Sequence, residues 1–112
     1  MEFESAAQSL LEAQARKLHS SKRTVEAIGI LRGVLAARLY YQGDRHFQTI
    51  NSRSGLARSL RALGEYTECF VLYSENIRVH REKLGEEHPQ TLRSLSRFAN
   101  TYYAAGHYHD PK

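Results

Sequence analysis

The chain has 112 residues, with 16 Lys+Arg against 12 Asp+Glu, a formal net charge of +4 and a pI near 9.4. That length allows one small domain and excludes an enzyme carrying its own lid or cofactor domain. A hydrophobic content of 41% with 25% charged residues argues against a disordered chain, and a lone cysteine, Cys69, excludes an intrachain disulfide or a cysteine-based zinc site. No apolar run approaches membrane-spanning length, and the acidic start Met1-Glu2-Phe3-Glu4 is unlike a secretory leader, so an intracellular, cytoplasmic setting is expected.

In chain order, five helices are expected and no strand. Ser5 to Gln8 fits a capping box, with a helix running on to about Ser20. A second helix runs from Thr24 to about Tyr41, with Ile28, Leu31, Leu35 and Leu39 at helical spacing. A third, Phe47 to Leu63, turns Ile50, Leu56, Ala57 and Leu60 inward. A fourth, Tyr66 to Leu84, buries Cys69, Leu72, Tyr73 and Ile77. The fifth opens with Pro89 and presents Leu92, Leu95, Phe98, Ala99 and Tyr102. Gly64 and Gly106 are expected to end their helices, where a left-handed residue costs glycine little.

The chain also matches itself at an offset of 42. Gly43-Asp44-Arg45-His46-Phe47-Gln48-Thr49 lies over Gly85-Glu86-Glu87-His88-Pro89-Gln90-Thr91, and 10 of the 28 pairs between 43–70 and 85–112 are identical. The same offset sets Ala15 on Ala57, Ala27 on Cys69, Leu31 on Tyr73 and Leu35 on Ile77. A fixed period of this size marks a stacked repeat, with units of about 1–42, 43–84 and an incomplete 85–112. His46 and His88 recur at the linkers, where each can cap the helix that follows.

Leu95-x2-Phe98-Ala99-x2-Tyr102-x3-Gly106-x-Tyr108 and Leu56-Ala57-x2-Leu60-x3-Gly64-x-Tyr66-x2-Cys69-x3-Tyr73 resemble the tetratricopeptide repeat. The long period and the 84–91 linker look more specifically like the repeats of kinesin light chain. The resemblance implies an all-α solenoid of antiparallel helix pairs in a right-handed superhelical stack, with first helices lining a concave groove. The sequence departs from the pattern at Arg53, where a large apolar residue is usual, and at Lys22, where the first unit lacks the glycine.

Charge is segregated on that scaffold. Of the 16 cations, 12 are arginines, whose planar forks suit carboxylates and phosphates. Helices 47–63 and 89–105 carry Arg53, Arg58, Arg61, Arg93 and Arg97 with no acid, whereas helix 66–84 mixes both signs. Off the core stripe of the first helices lie Ser9, Glu12, Arg16 and His19, then Asn51, Ser54, Arg58 and Arg61, then Arg93, Arg97, Asn100 and Tyr103. Arginines can take carboxylates, asparagines can pin peptide amides, and Tyr103 offers an aromatic face. The set implies a non-catalytic adaptor that holds an acidic or carboxylate-ended peptide of a partner protein.

Competing chemistries have weaker footings. Arginines beside Tyr40, Tyr41, Tyr102 and Tyr103 would suit a nucleic acid, but the mild net charge speaks against it. His107, His109 and Asp110 form the tightest candidate metal group and Cys69 the one candidate nucleophile. Structural roles fit both better, so no cofactor, metal or catalytic activity is expected. Where the third unit would continue, the sequence reads Asp110-Pro111-Lys112. Leu92, Leu95, Phe98 and Tyr102 are therefore expected to lie partly uncovered, as a self-association face of a homodimer or the joint to a longer array.

Overall fold

The computed structural model describes residues 2–20 and 22–109, with side chains described for 5–18 and 22–106. It contains α1 (Glu2–Ser20), α2 (Thr24–Gln42), α3 (Phe47–Ala62), α4 (Tyr66–Leu84) and α5 (Pro89–His109), and no strand among the described residues. Each helix packs on the next in the chain: α1 on α2, α2 on α3, α3 on α4 and α4 on α5. The body measures 51 × 37 × 19 Å, and its short dimension is that of two helix layers. One layer is α1, α3 and α5, and the other is α2 and α4.

Between the layers runs one core. Ala15, Ala27, Ile28, Leu31, Leu35, Leu56, Ala57, Leu60, Cys69, Leu72 and Tyr73 form a single buried cluster. Its members recur at the 42-residue offset because each unit repeats the same helix-on-helix contact. In α2 the inward stripe continues through Val34 and Arg38 rather than Leu39, which is 40% exposed. The buried stripe thus keeps a helical three- and four-residue step through 27, 31, 34 and 38, and Leu39 falls just outside it.

The turns follow the repeat closely. Gly43 (φ 90°, ψ 170°) and Gly85 (φ 93°, ψ 166°) cap α2 and α4 in a conformation open almost only to glycine. Their N–H groups close the helices by donating to Arg38 and Leu39 O, and to Arg81 O. Within units, Gly64 has φ +82°, and Lys22, 42 residues earlier, adopts φ +66°. A lysine therefore occupies a left-handed position that the second unit assigns to glycine. His46 and His88 cap α3 and α5, each accepting from the N–H two residues on at 3.1 Å.

Two expected boundaries move. Ser5 lies inside α1 rather than capping it, and its hydroxyl donates to Gln48 on α3 at 3.3 Å. Helix α5 runs through Gly106 to His109 instead of stopping at the glycine. At Gly64 the chain must fold back so that α4 can pack on α3. Glycine permits that turn without imposing it, and at Gly106 the helix continues.

Arg53 is the other departure. It is 3% exposed and reaches two partners, the Asp44 carboxylate at the α2–α3 turn and Asn76 Oδ1 on α4 at 3.2 Å. Asn76 in turn donates to Ile50 O and Ser54 Oγ. A polar clamp here stands at the position that the third unit gives to half-buried Leu95.

Candidate functional site

On α3, residues 51, 55, 58, 59 and 62 fall on one helical face, opposite the buried stripe of Ile50, Arg53, Leu56, Ala57 and Leu60. That face lines an open cleft of about 910 Å3. Helix α1 contributes Glu12, Ala15 and Arg16, and α3 contributes Asn51, Gly55, Arg58, Ser59, Arg61 and Ala62. Leu31, Tyr66 and Ala104 complete the lining. First helices of all three units therefore share one concavity, and it brings together Arg16, Asn51, Arg58 and Arg61.

The other residues expected in the groove lie around it. Ser54 is buried, held by Asn76 and approached by Arg97 Nη1 at 3.5 Å, so its hydroxyl is already engaged. Arg97 thus reaches from α5 towards α3. Arg93 is exposed and donates to Gln90 at 2.9 Å, one turn earlier on α5. Asn100 and Tyr103 are exposed on α5 outside the cleft lining. The His19 side chain lies outside the described residues.

The pairing of the arginines sorts them by face. Seven of the twelve hold carboxylates: Arg23 with Glu26, Arg32 with Glu68, Arg38 with Glu12, Arg45 with Glu82, Arg53 and Arg78 with Asp44, and Arg81 with Glu86. Arg78 also reaches Glu75 and Glu82. The other five, Arg16, Arg58, Arg61, Arg93 and Arg97, form no ion pair among the described residues, and all five stand on α1, α3 or α5. Surface ion pairs are individually weak, so the information lies in the partition. Arg53 is the one paired arginine on α3, buried and held by Asp44, and among the described residues no acid neutralises the five others on the groove helices.

Two buried groups sharpen that picture. Burial pushes the Tyr73 phenol on α4 above its ordinary value, while Arg58, Arg97 and Arg61 pull against the shift. Those three cations come from two helices, α3 and α5. Glu12 is an acid on the cleft wall, but Arg38 holds it at 2.8 Å and Ser52 donates to its other oxygen at 2.8 Å. Arg38 is 1% exposed, so the charge of Glu12 is countered from behind. Periodicity gave no sign of this pair, whose members lie 26 residues apart on different helices.

Other candidates sit elsewhere. A second cleft of about 660 Å3, lined by Leu10, Ala13, Gln14, Lys17, Leu18 and Arg23, lies on α1 and the start of α2 and contains none of the five unpaired arginines. Cys69 is fully buried, donates to Ala57 O at 3.0 Å, and burial pushes its thiol up to about 11. The thiolate is the nucleophilic and metal-binding form, and at neutral pH burial holds Cys69 as the thiol. Among the described residues no three His, Cys, Asp or Glu side chains gather to hold a metal, and His107, His109 and Asp110 lie outside the described side chains. No described helix is long and apolar enough to cross a membrane.

On α5 the apolar stripe is only partly covered. Phe98 packs on Phe70 with ring centroids 5.1 Å apart, and Tyr102 lies 6.2 Å from the same ring. Leu95 and Phe98 are half-buried, whereas Leu92 is 50% and Tyr102 67% exposed.

Comparison with known proteins agrees with this architecture. The tetratricopeptide repeat profile matches residues 48–110. Crystal structures of the nearly identical TPR-like repeats of a Podosopora anserina kinesin light chain protein, and of a single-substitution variant of it, superpose with a TM-score of 0.82 at 28% identity. They cover 97% of this chain, which spans about half (51%) of their length. No curated protein matches closely enough to count as a relative. Tetratricopeptide repeats generally mediate protein–protein interaction and are typically non-catalytic scaffolds. With five helices stacked in this way and the repeat profile spanning its second and third units, the chain belongs to the tetratricopeptide repeat family.

Proposed function

We propose that this chain is a non-catalytic interaction module whose concave groove holds an acidic or carboxylate-ended segment of a partner protein. One observation carries the reading: the five arginines without a carboxylate partner among the described residues all stand on the groove helices, and three of them line one cleft. Arginine forks bind carboxylates in a fixed bidentate geometry, and Asn51 offers an amide that can pair with a peptide backbone. Ala15, Gly55, Ala62 and Ala104 keep the walls small enough for a chain to lie between the cations. The setting is read as cytoplasmic, and the units as 1–42, 43–84 and 85–112.

The test is an acidic peptide array probed with wild type and with Arg58→Glu combined with Arg97→Glu. Both side chains lie outside the buried core, so helicity should persist while binding of acidic peptides is lost. Unchanged affinity in the double variant overturns the groove assignment. A nucleic-acid ligand would instead show little sequence preference and a steep salt dependence.

A second reading rests on α5. Leu92, Leu95, Phe98 and Tyr102 form a partly covered apolar face that a second copy of the chain would bury in a two-fold contact. Sedimentation at about 100 µM should then find a dimer, and Tyr102→Glu should return it to monomer. A strict monomer at that concentration removes this reading and leaves the groove reading intact.

A further inference from the structure

The groove reading leaves open which anion the arginines are built for, and the molecule contains its own calibration. Each carboxylate held on the back is satisfied by one or two guanidinium groups. Arg32 alone meets Glu68 with both terminal nitrogens, Arg23 alone meets Glu26, and Asp44 takes two, Arg53 and Arg78. By contrast, the cleft gathers Arg16, Arg58 and Arg61 with no acid to balance them, since Glu12 is already held by Arg38 and Ser52. Arg97 stands outside the lining, on α5, and reaches Ser54 on α3. One carboxylate would leave most of these donors unused and most of the positive charge uncompensated.

Resting on the groove reading above, we propose that the cleft formed by Arg16, Arg58 and Arg61 is a site for a phosphorylated side chain on the partner peptide. A phosphomonoester carries close to two negative charges and three strong acceptor oxygens at neutral pH, so it can engage two or three guanidinium forks at once. The cations are all arginine, and no lysine enters the cleft lining. That choice favours flat, divided recognition of several oxygens over a single diffuse charge. Asn51 supplies a neutral donor beside them, and the aliphatic lining from Ala15, Leu31 and Ala62 receives peptide side chains rather than stacked bases. Tyr66 is the one aromatic in the lining, which disfavours single-stranded RNA as the phosphate source.

The full chain is titrated against four fluorescent peptide libraries with the same degenerate flanks, bearing a central Ser, Glu, Glu-Glu or phosphoserine, and against a single-stranded RNA homopolymer. Fluorescence anisotropy is read at a constant salt of about 0.15 M. The phosphoserine library should bind roughly tenfold tighter than the Glu and Glu-Glu libraries, as one to three added charge-assisted hydrogen bonds allow. Arg58→Gln with Arg61→Gln should erase that margin. Arg93→Gln, also unpaired with an acid but outside the cleft, should preserve it. Equal affinity for phosphoserine and Glu-Glu overturns the inference while the acidic groove stands. Binding to none of the peptide libraries overturns both, and preference for RNA through the same arginines replaces a peptide ligand with a nucleic acid.

Discussion

Asp44→Ala should be far more damaging than an exposed acid normally is, because of what it leaves behind on α3. The Arg53 guanidinium is 3% exposed and rests on two acceptors, the Asp44 carboxylate and the Asn76 amide oxygen. Without Asp44 a buried cation keeps one neutral partner. Breaking a fully buried pair costs about 3–5 kcal/mol. The Asp44 side chain is 41% exposed and water can take its place, so about 2 kcal/mol is expected. Arg78 adds little to the loss, since Glu75 and Glu82 still hold it. For a domain of this size the change lowers Tm by about 8–10 °C. Arg53→Leu, by contrast, removes the cation itself. Asp44 keeps Arg78 and the Asn76 amide nitrogen keeps Ile50 O and Ser54, so the one group left without its donor is the Asn76 amide oxygen, and the cost should be about 1 kcal/mol. The double variant should melt with Arg53→Leu, not with Asp44→Ala. Thermal unfolding followed by circular dichroism, with urea midpoints as a check, measures all four proteins. The reasoning fails if Asp44→Ala melts within about 2 °C of wild type, or if Arg53→Leu gives the Asp44→Ala protein no recovery.

Three further predictions follow from single residues. Lys22→Gly should stabilise the chain by about 0.5–1 kcal/mol, because relief of the left-handed strain outweighs glycine's greater freedom when unfolded; a lower urea midpoint would contradict this. His80 is buried against Ser94 at 2.6 Å, and burial, followed by His88, Lys83, Arg97 and Arg93, lowers its pKa below the ordinary imidazole value. Its contribution to stability is therefore complete above the unfolded imidazole value and is lost as pH falls through the lowered one. The Tm difference between pH 7.5 and 5.5 should shrink in His80→Gln, and an unchanged difference would clear His80 of that role. Cys69, with its thiol pushed up to about 11, should resist a thiol-specific disulfide reagent in the native state and react fully in urea.

The helices and their register were legible because each unit repeats the same apolar stripe and the same glycine turns. Gly43 and Gly85 were visible as matched positions of the repeat, and their backbone shape, which excludes other residues, is what the structure adds. Lys22 was visible as a missing glycine, and its positive φ shows that stacking of α1 on α2 dictates the turn against local preference. At Gly106 the residue matches the pattern but the helix continues, because composition does not record what packs beyond a turn.

The charge pairing was only half visible. The absence of acids from the third and fifth helices could be counted, yet the burial of Arg38 and Arg53 could not. Both pairings, Arg38 with Glu12 and Arg53 with Asp44, cross between elements, and helical periodicity records only neighbours on one face. Ser54 shows the same limit. It falls off the apolar stripe, but Asn76 from α4 draws it into the interior.

The claim that groove arginines do the binding is tested most directly by moving the same charge on opposite faces. Arg58→Glu with Arg61→Glu removes two cations from the cleft, and Arg78→Glu with Arg81→Glu makes an identical change of net charge on α4. Titration calorimetry with an acidic peptide selected on the array should find binding abolished in the first variant and within about threefold of wild type in the second. Equal losses in both would make the attraction a property of net charge alone and contradict a groove site.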